Sequence, residues 1–351
     1  MEPRDPRKEP PDPPIAVIGL GAVGSLLAGC LVLAGRTVVA VRRGTADQAE
    51  RSITLVGPGA RRRTVTVPEG DPGAIPSDCR LAILAVKQYD LGAALDALVG
   101  RPELTLVTVQ NGLGAEEAVL ARRPGGGLVA ASLTASVERG PGDELHWLRR
   151  GGIGLAPVQG PVEAEIGDLA GAFRSGGLPA RRYADWQAMK WSKLLGNLVA
   201  NATSAILDLE PGAVYADPAL FGIERAQLAE GLAVMSRLGL RPVGLPGARV
   251  DWLVRAFGLP DPLARAILRA VVDRARGGKA PSLRGHVAGG GPGPSEVRWL
   301  NGAVAERARA LGIAAPVNER LAALVEEVVA SPERRSWFRG RPDRLVAALR
   351  R

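Results

Sequence analysis

The hydrophobic pattern changes character about halfway along the chain. In the first half, short apolar runs alternate with helix-like stretches. Ile15–Ile18 is a β-type run that meets Gly19, followed by an apolar helical stretch to Gly35. Thr37–Val41 predicts a second strand, ended by Arg42-Arg43. Ile53–Val56 and Thr64–Val67 predict a hairpin or two strands of an insert. Leu81–Val86 is continuously apolar, as expected of a strand buried on both faces. Leu104–Val109, Leu128–Ala131 and Gly152–Leu155 predict further strands, and 90–99 and 115–121 predict helices. Alternation of this kind predicts a doubly wound parallel sheet.

After Ala184 the strand signal stops. A 3.6-residue period predicts helices over roughly 185–207, 217–238, 247–257, 262–276, 296–311 and 317–330. Pro and Gly punctuate the gaps, as at Pro211-Gly212. The expected organisation is a disordered tail (1–14), an α/β domain (15–184), an all-α domain (185–330) and an Arg-rich extension (331–351) that is an extra helix or a loose tail. Gly289–Pro294 is expected to be flexible.

Composition narrows the chemistry. The 351 residues are 46% hydrophobic and 23% charged, which is ordinary for a globular protein. No apolar run is long enough to span a membrane, and the charged, Pro-rich start is unlike a secretory signal. Two cysteines make no disulfide framework, so a cytoplasmic location is expected. Two distant histidines argue against zinc. The net charge of +9 is spread along the chain, and aromatics are only 4%, so nucleic acid is not the expected partner. Only five lysines occur, at 8, 87, 190, 193 and 279, against 45 Lys and Arg together. Arginine keeps its proton in proteins whereas lysine can release one, so a retained lysine draws attention as a titrating group.

Three features carry candidate chemistry. Gly19-Leu20-Gly21-Ala22-Val23-Gly24 follows a strand and opens a helix. In that setting the glycines permit a tight turn, close approach to a pyrophosphate and tight helix packing. The second strand ends in Arg42-Arg43 with no carboxylate for a ribose 2′-hydroxyl. A guanidinium suits a 2′-phosphate, so NADP(H) is expected over NAD(H), with Arg43 as first choice and Arg42 assisting. Lys87 and Asn111 stand at later strand ends, where ligands of open α/β sheets gather. Lys193, Asn197 and Asn201 follow at i, i+4 and i+8, which puts them on one face of one helix. A lysine and two amides in an apolar helix suit binding a polar anion and moving a proton. Lys190, one turn earlier, competes for that role.

Together these residues resemble the ketopantoate reductase (2-dehydropantoate 2-reductase) family over roughly 15–329. Further landmarks are Pro281-Ser282-Leu283, Ser295-Glu296-Val297 with Leu300-Asn301-Gly302, and Gly312 to Asn318. The resemblance implies a Rossmann-type NADPH domain joined to a helical domain, with the site between them. It implies reduction of ketopantoate to pantoate, in pantothenate biosynthesis, with Lys193 as proton donor. By the same resemblance Asn197, Asn201 and Ser282 hold the 2-oxo acid, and Arg43, Lys87 and Asn111 hold the coenzyme. Glu296 lies near both, and Ala135 falls where a backbone contact to the coenzyme is expected. The chain departs from the family's pattern on the substrate side. The segment after Ser282 is longer and glycine-rich, His286 replaces a common aspartate, and an asparagine near Pro211 is unmatched. A reductase of another 2-oxo acid and a non-catalytic NADP-binding sensor therefore stay open, as does a homodimer.

Overall fold

The computed structural model describes residues 12–42, 49–57, 61–140, 144–149, 151–276, 281–289 and 295–350. Most of the expected tail (1–11), Arg43 and the glycine-rich 290–294 lie outside the described residues.

Among the described residues, eleven strands form one sheet. They are β1 (Ile15–Ile18), β2 (Val38–Val41), β3 (Ala49–Val56), β4 (Arg62–Gly70), β5 (Leu81–Leu84), β6 (Thr105–Thr108), β7 (Leu128–Leu133), β8 (Ser136–Arg139), β9 (Leu145–Arg149), β10 (Ile153–Gln159) and β11 (Ala180–Arg182). Their spatial order is β11-β10-β7-β6-β5-β1-β2-β4-β3-β9-β8. The strands from β7 to β4 are mutually parallel, with Ile15 opposite both Val38 and Leu81. Strand order reverses at β1, so the carboxyl ends of β1 and β5 flank the crevice where such sheets take ligands.

The expected parallel sheet forms this centre, and outside it the pairing is mixed, with β10–β11 and β3–β9 parallel. β10 runs antiparallel to β7, and the β3–β4 and β8–β9 pairs are antiparallel. For the two hairpins, β3–β4 and β8–β9, the reason is the connections. Parallel neighbours need a crossover of a dozen or more residues, while hairpins close with a short turn. The segment 57–61 joins β3 to β4, and 140–144 joins β8 to β9.

Helices α1 (Ala22–Leu33), α2 (Leu91–Asp96), α3 (Ala115–Arg122) and α4 (Glu163–Ser175) cover the sheet. Alternation along β1 separates the two faces. Ile15 and Val17 join the core under α1 and α4, while Ala16 and Ile18 join the core under α2 and α3. The outer strands curl around α1, which packs against β1–β4, β8 and β9.

Among the described residues, the named elements after β11 are all helical. In order come α5 (Trp186–Leu198), α6 (Ala202–Leu207), α7 (Pro211–Ala216), α8 (Pro218–Arg237), α9 (Val250–Phe257), α10 (Asp261–Arg276), α11 (Ser282–Gly289), α12 (Asn301–Ala310), α13 (Pro316–Ala330), α14 (Pro332–Phe338) and α15 (Pro342–Leu349). Pro211 opens α7 rather than breaking the chain, because proline at the first helical position gives up an N–H that has no helical partner anyway. The core of this half reaches the sheet at Ala130 and Ala156 and takes in Leu113 beyond the end of β6. The architecture is thus a Rossmann-type domain followed by a helical domain, and the Arg-rich extension is two packed helices.

Candidate active site

The turn after β1 meets the demands placed on each of its glycines. Gly19 has φ +93°, a left-handed conformation costly for other residues. A side-chain carbon on Gly24 would lie 1.9 Å from the Gly19 carbonyl oxygen, so α1 can sit on the turn only with glycine there. Gly21 has nothing within 4 Å of its vacant Cβ position and starts α1 without a side-chain cap. Its neighbourhood therefore offers open space and uncapped backbone N–H groups, the conditions an anion needs. Leu20 is buried, and its carbonyl accepts a bond from the Ser25 hydroxyl at 3.2 Å and one from the Arg139 guanidinium. Ala22 and Val23 form the first turn of α1.

Beside this turn lies a cavity of about 440 Å3 lined by Leu20, Gly21, Arg42, Arg51 and Arg139. Arg42 continues β2, Arg51 comes from β3 and Arg139 from β8. Glu69 on β4, opposite Ala40 of β2, is buried between two of them. Its carboxylate lies 3.9 Å from Arg42 and 4.0 Å from Arg51. Sequence reading found Arg42 but missed Arg51 and Arg139. Nothing local marks them, since the outer strands must first curl over α1.

The strand ends beyond β1 hold the next candidates. The Lys87 ammonium donates to Glu296 Oε1 at 2.9 Å, with Lys87 more than half exposed. Glu296 opens a 3-10 turn, Glu296–Trp299, where one long helix over 296–311 was expected. The turn stops at Leu300 (φ −106°, ψ −98°) and α12 begins afresh. The Trp299 carbonyl accepts the Leu113 N–H at 3.1 Å, and it lies where a Cβ on Gly112 would be, 2.2 Å away. The helical half thus presses directly on the end of β6. Asn111, beside this contact, is exposed. Gln110 ties strand ends together: its amide donates to the carbonyls of Leu84 (2.7 Å) and Val86 (3.0 Å). Ala135 follows β7, and its backbone N would lie 2.5 Å from a Cβ on Gly151.

The helix expected over 185–207 is two helices. Asp185 caps α5 by accepting the Ala188 N–H. The helix ends at Val199, Ala200 takes φ +49°, and α6 begins after Asn201. Lys193 and Asn197, both part-buried, share a face of α5. Asn201 lies beyond the break, so the proposed single stripe of three does not exist. The cause is the buried Glu224 of α8, which accepts the Ala200 N–H at 2.6 Å and the Thr203 hydroxyl at 2.6 Å. Gln227 adds a bond to the Leu198 carbonyl. The break has a use. It turns Asn201 towards α11, where its side chain accepts the Leu283 N–H at 3.2 Å and lies 3.5 Å from the Ser282 hydroxyl. Two of the expected acid-holding residues are therefore brought together by a route other than helical periodicity.

Lys190 and Lys193 are distinguished by their surroundings. Lys190 is 2% exposed and donates to the Gln110 carbonyl at 2.8 Å, with Glu116 Oε1 at 3.0 Å. It is buried and held by two partners across the junction, which argues against its reaching a ligand in the cleft. Lys193 lies one turn further along and is partly open. Among the described residues no group of three or more His, Cys, Asp and Glu could hold a metal ion, and no helix is long and apolar enough to cross a membrane.

Two family descriptions match the chain. Residues 15–160 match "Ketopantoate reductase PanE/ApbA" and 185–329 match "Ketopantoate reductase PanE/ApbA C terminal". The 2-dehydropantoate 2-reductase of Halobacterium salinarum is 29% identical over 324 residues, covering 89% of this chain and 97% of that protein. The enzyme of the same name from Caulobacter vibrioides is 30% identical over 316 residues, with 89% and 97% covered. Among solved structures, a ketopantoate reductase from Ralstonia eutropha superposes with a TM-score of 0.73 at 23% identity, covering 90% of this chain and 98% of that one. A D-mandelate dehydrogenase structure matches with a TM-score of 0.72 at 19% identity, with 91% and 99% covered.

Proposed function

The chain belongs to the ketopantoate reductase family of oxidoreductases, and on that premise we propose that it reduces 2-dehydropantoate to pantoate with NADP(H), a step of pantothenate biosynthesis. The last strand ends at Arg182 and α5 begins at Trp186, which supports dividing the chain into a coenzyme domain (15–184) and a substrate domain (185–330). The observation that carries the reading is the junction of the two. Lys87 and Glu296 meet across it, and α5, bearing Lys193, is bonded to the strand end that leads into Asn111.

The residues present fit a dinucleotide phosphate. The open Gly21 position and the uncapped start of α1 suit the pyrophosphate. Arg42, Arg51 and Arg139 line the adjoining cavity, and guanidinium groups take phosphate bidentately. Arg43, the first choice for the 2′-phosphate on the sequence, follows Arg42 in the chain and lies outside the described residues. The exposed Asn111 and Lys87, the Ala135 backbone and Glu296 would hold the ribose and nicotinamide portion. A reduced nicotinamide ring supplies the hydride for the ketone carbon. Lys193 polarises the ketone oxygen and gives it a proton, a role suited to a partly buried lysine. Asn197, Asn201 and Ser282 orient the acid, which lowers the entropic part of the barrier.

The test is a panel of 2-oxo acids (ketopantoate, 2-oxoisovalerate, pyruvate and phenylglyoxylate) with NADPH and with NADH, following loss of the reduced nicotinamide. Ketopantoate with NADPH should give the highest kcat/KM. One observation favours a second reading, reduction of a different 2-oxo acid. His286 stands one turn after Ser282 on α11, and its buried Nε2 has no hydrogen-bond partner. Faster turnover of another acid in the panel would establish that reading. Tight NADPH binding with no turnover at all would favour a sensor.

A further inference from the structure

We propose that the buried Lys190–Glu116 pair is a register pin between the two domains: it positions α5, and with it Lys193, against the strand ends that hold the coenzyme. The inference rests on the assignment of Lys193 as proton donor.

Both partners are buried, Lys190 at 2% exposure and Glu116 at 0%. Taking two charges out of water is costly, and well-packed apolar residues often serve stability as well or better. What an ion pair adds is direction, because its bonds are met in only one arrangement. Every bond here points at the junction. The Lys190 ammonium comes from the helical domain and meets Glu116, in the first turn of α3, and the Gln110 carbonyl. Glu116 is itself held by the Thr108 hydroxyl of β6 at 2.7 Å. Gln110 in turn grips the end of β5, where Lys87 follows, and precedes Asn111 in the chain. One ammonium thus joins the helix of Lys193 to the ends of both β5 and β6. Lys190 and Lys193 are three residues apart on α5, so a tilt or slide that Lys190 permits is passed on to Lys193 within one helical turn. Lys190 is 2% exposed and turned to Glu116 and Gln110, so its effect on the site would pass through Lys193. Lys190 is a positioning residue.

The experiment compares Lys190→Met with the double variant Lys190→Met/Glu116→Gln. The single variant strands a buried carboxylate and should lower the melting temperature. The double variant removes both charges and should regain most of that loss. If the pair sets register, kcat of the double variant stays down between about 10- and 100-fold, the cost of a misplacement of about 1 Å. Its affinity for NADPH, read by coenzyme fluorescence, should stay within about threefold, and the pH profile of kcat should keep its shape because Lys193 is intact. Amide hydrogen exchange along 186–198 should quicken. A stable double variant with parental kcat overturns the proposal. Should the double variant fail to fold, Lys190→Arg decides. It keeps the charge but its wider head displaces α5, so kcat should fall, and a parental kcat again overturns the proposal. Lys193→Ala, assayed alongside, judges the proton-donor assignment separately. If no acid in the panel is reduced, exchange alone decides, and parental protection of 186–198 sinks the register pin.

Discussion

Lys190 and Lys193 sit one turn apart on α5, yet burial separates their chemistry. Lys190 is buried and held by a carboxylate and a carbonyl, while Lys193 is partly open. Lys193→Ala should lower turnover by roughly 10²–10⁴-fold, the usual general-acid contribution, and leave NADPH affinity unchanged by fluorescence titration. Near-normal turnover would remove the assignment. A second residue illustrates burial acting on titration alone. Cys30 lies inside α1, and burial pushes its thiol up to about 12 from an ordinary value of 9.0. Below pH 9 the thiol is protonated in both folded and unfolded chains and contributes no pH dependence. Above it the unfolded chain ionises while the folded one does not, so stability falls as pH rises, by up to about 1.4 kcal/mol per unit, until the folded thiol itself titrates. Urea denaturation from about pH 8 to pH 10.5 should show this slope in the parent, and a shallower one in Cys30→Ala.

At the scale of elements, the gap between α5 and α6 is the departure with the greatest consequence for the site. Ala200 in the left-handed region costs about 1–2 kcal/mol for a residue with a Cβ. Glu224 compensates by accepting the N–H freed there. Glu224→Ala should therefore cost about 1–3 kcal/mol, the price of an unsatisfied buried N–H. Glu224→Gln should cost less, since its amide oxygen still accepts. Unfolding in urea checks both, and a loss no larger than that of the exposed Glu326→Ala would refute the role. This break was invisible in the chain because its cause lies 24 residues away on another helix. The β1–α1–β2 unit was legible for the opposite reason: apolar runs, glycine spacing and the turn are all local. The helix of Ser282 escaped notice among the glycines and prolines around it.

Across the whole molecule, the extension beyond the family match at 329 is part of the core rather than an appendage. Phe338 and Leu345 are fully buried, the Gly340 N–H bonds the Leu207 carbonyl at 2.8 Å, and Arg339 pairs with Asp208 at 3.1 Å. Asp208 also binds Arg284 of α11, so the extension and the helix of Ser282 share one anchor at the end of α6. Phe338→Ala should lower the unfolding free energy by about 3–5 kcal/mol, measured by chemical denaturation. A change below about 1 kcal/mol would show that the extension is dispensable to the fold.

Local pattern alone determined the order of the central strands and helices, the glycine turn, the division into a sheet-bearing half and a helical half, and the family resemblance. Each depends on residues within a turn or a strand length of one another. Tertiary structure decided which arginines face the glycine turn, where α5 ends, that Asn201 meets Ser282, and which of two neighbouring lysines is shut away. Each of these depends on partners far apart in sequence, brought together by packing, and no periodicity along the chain encodes that proximity.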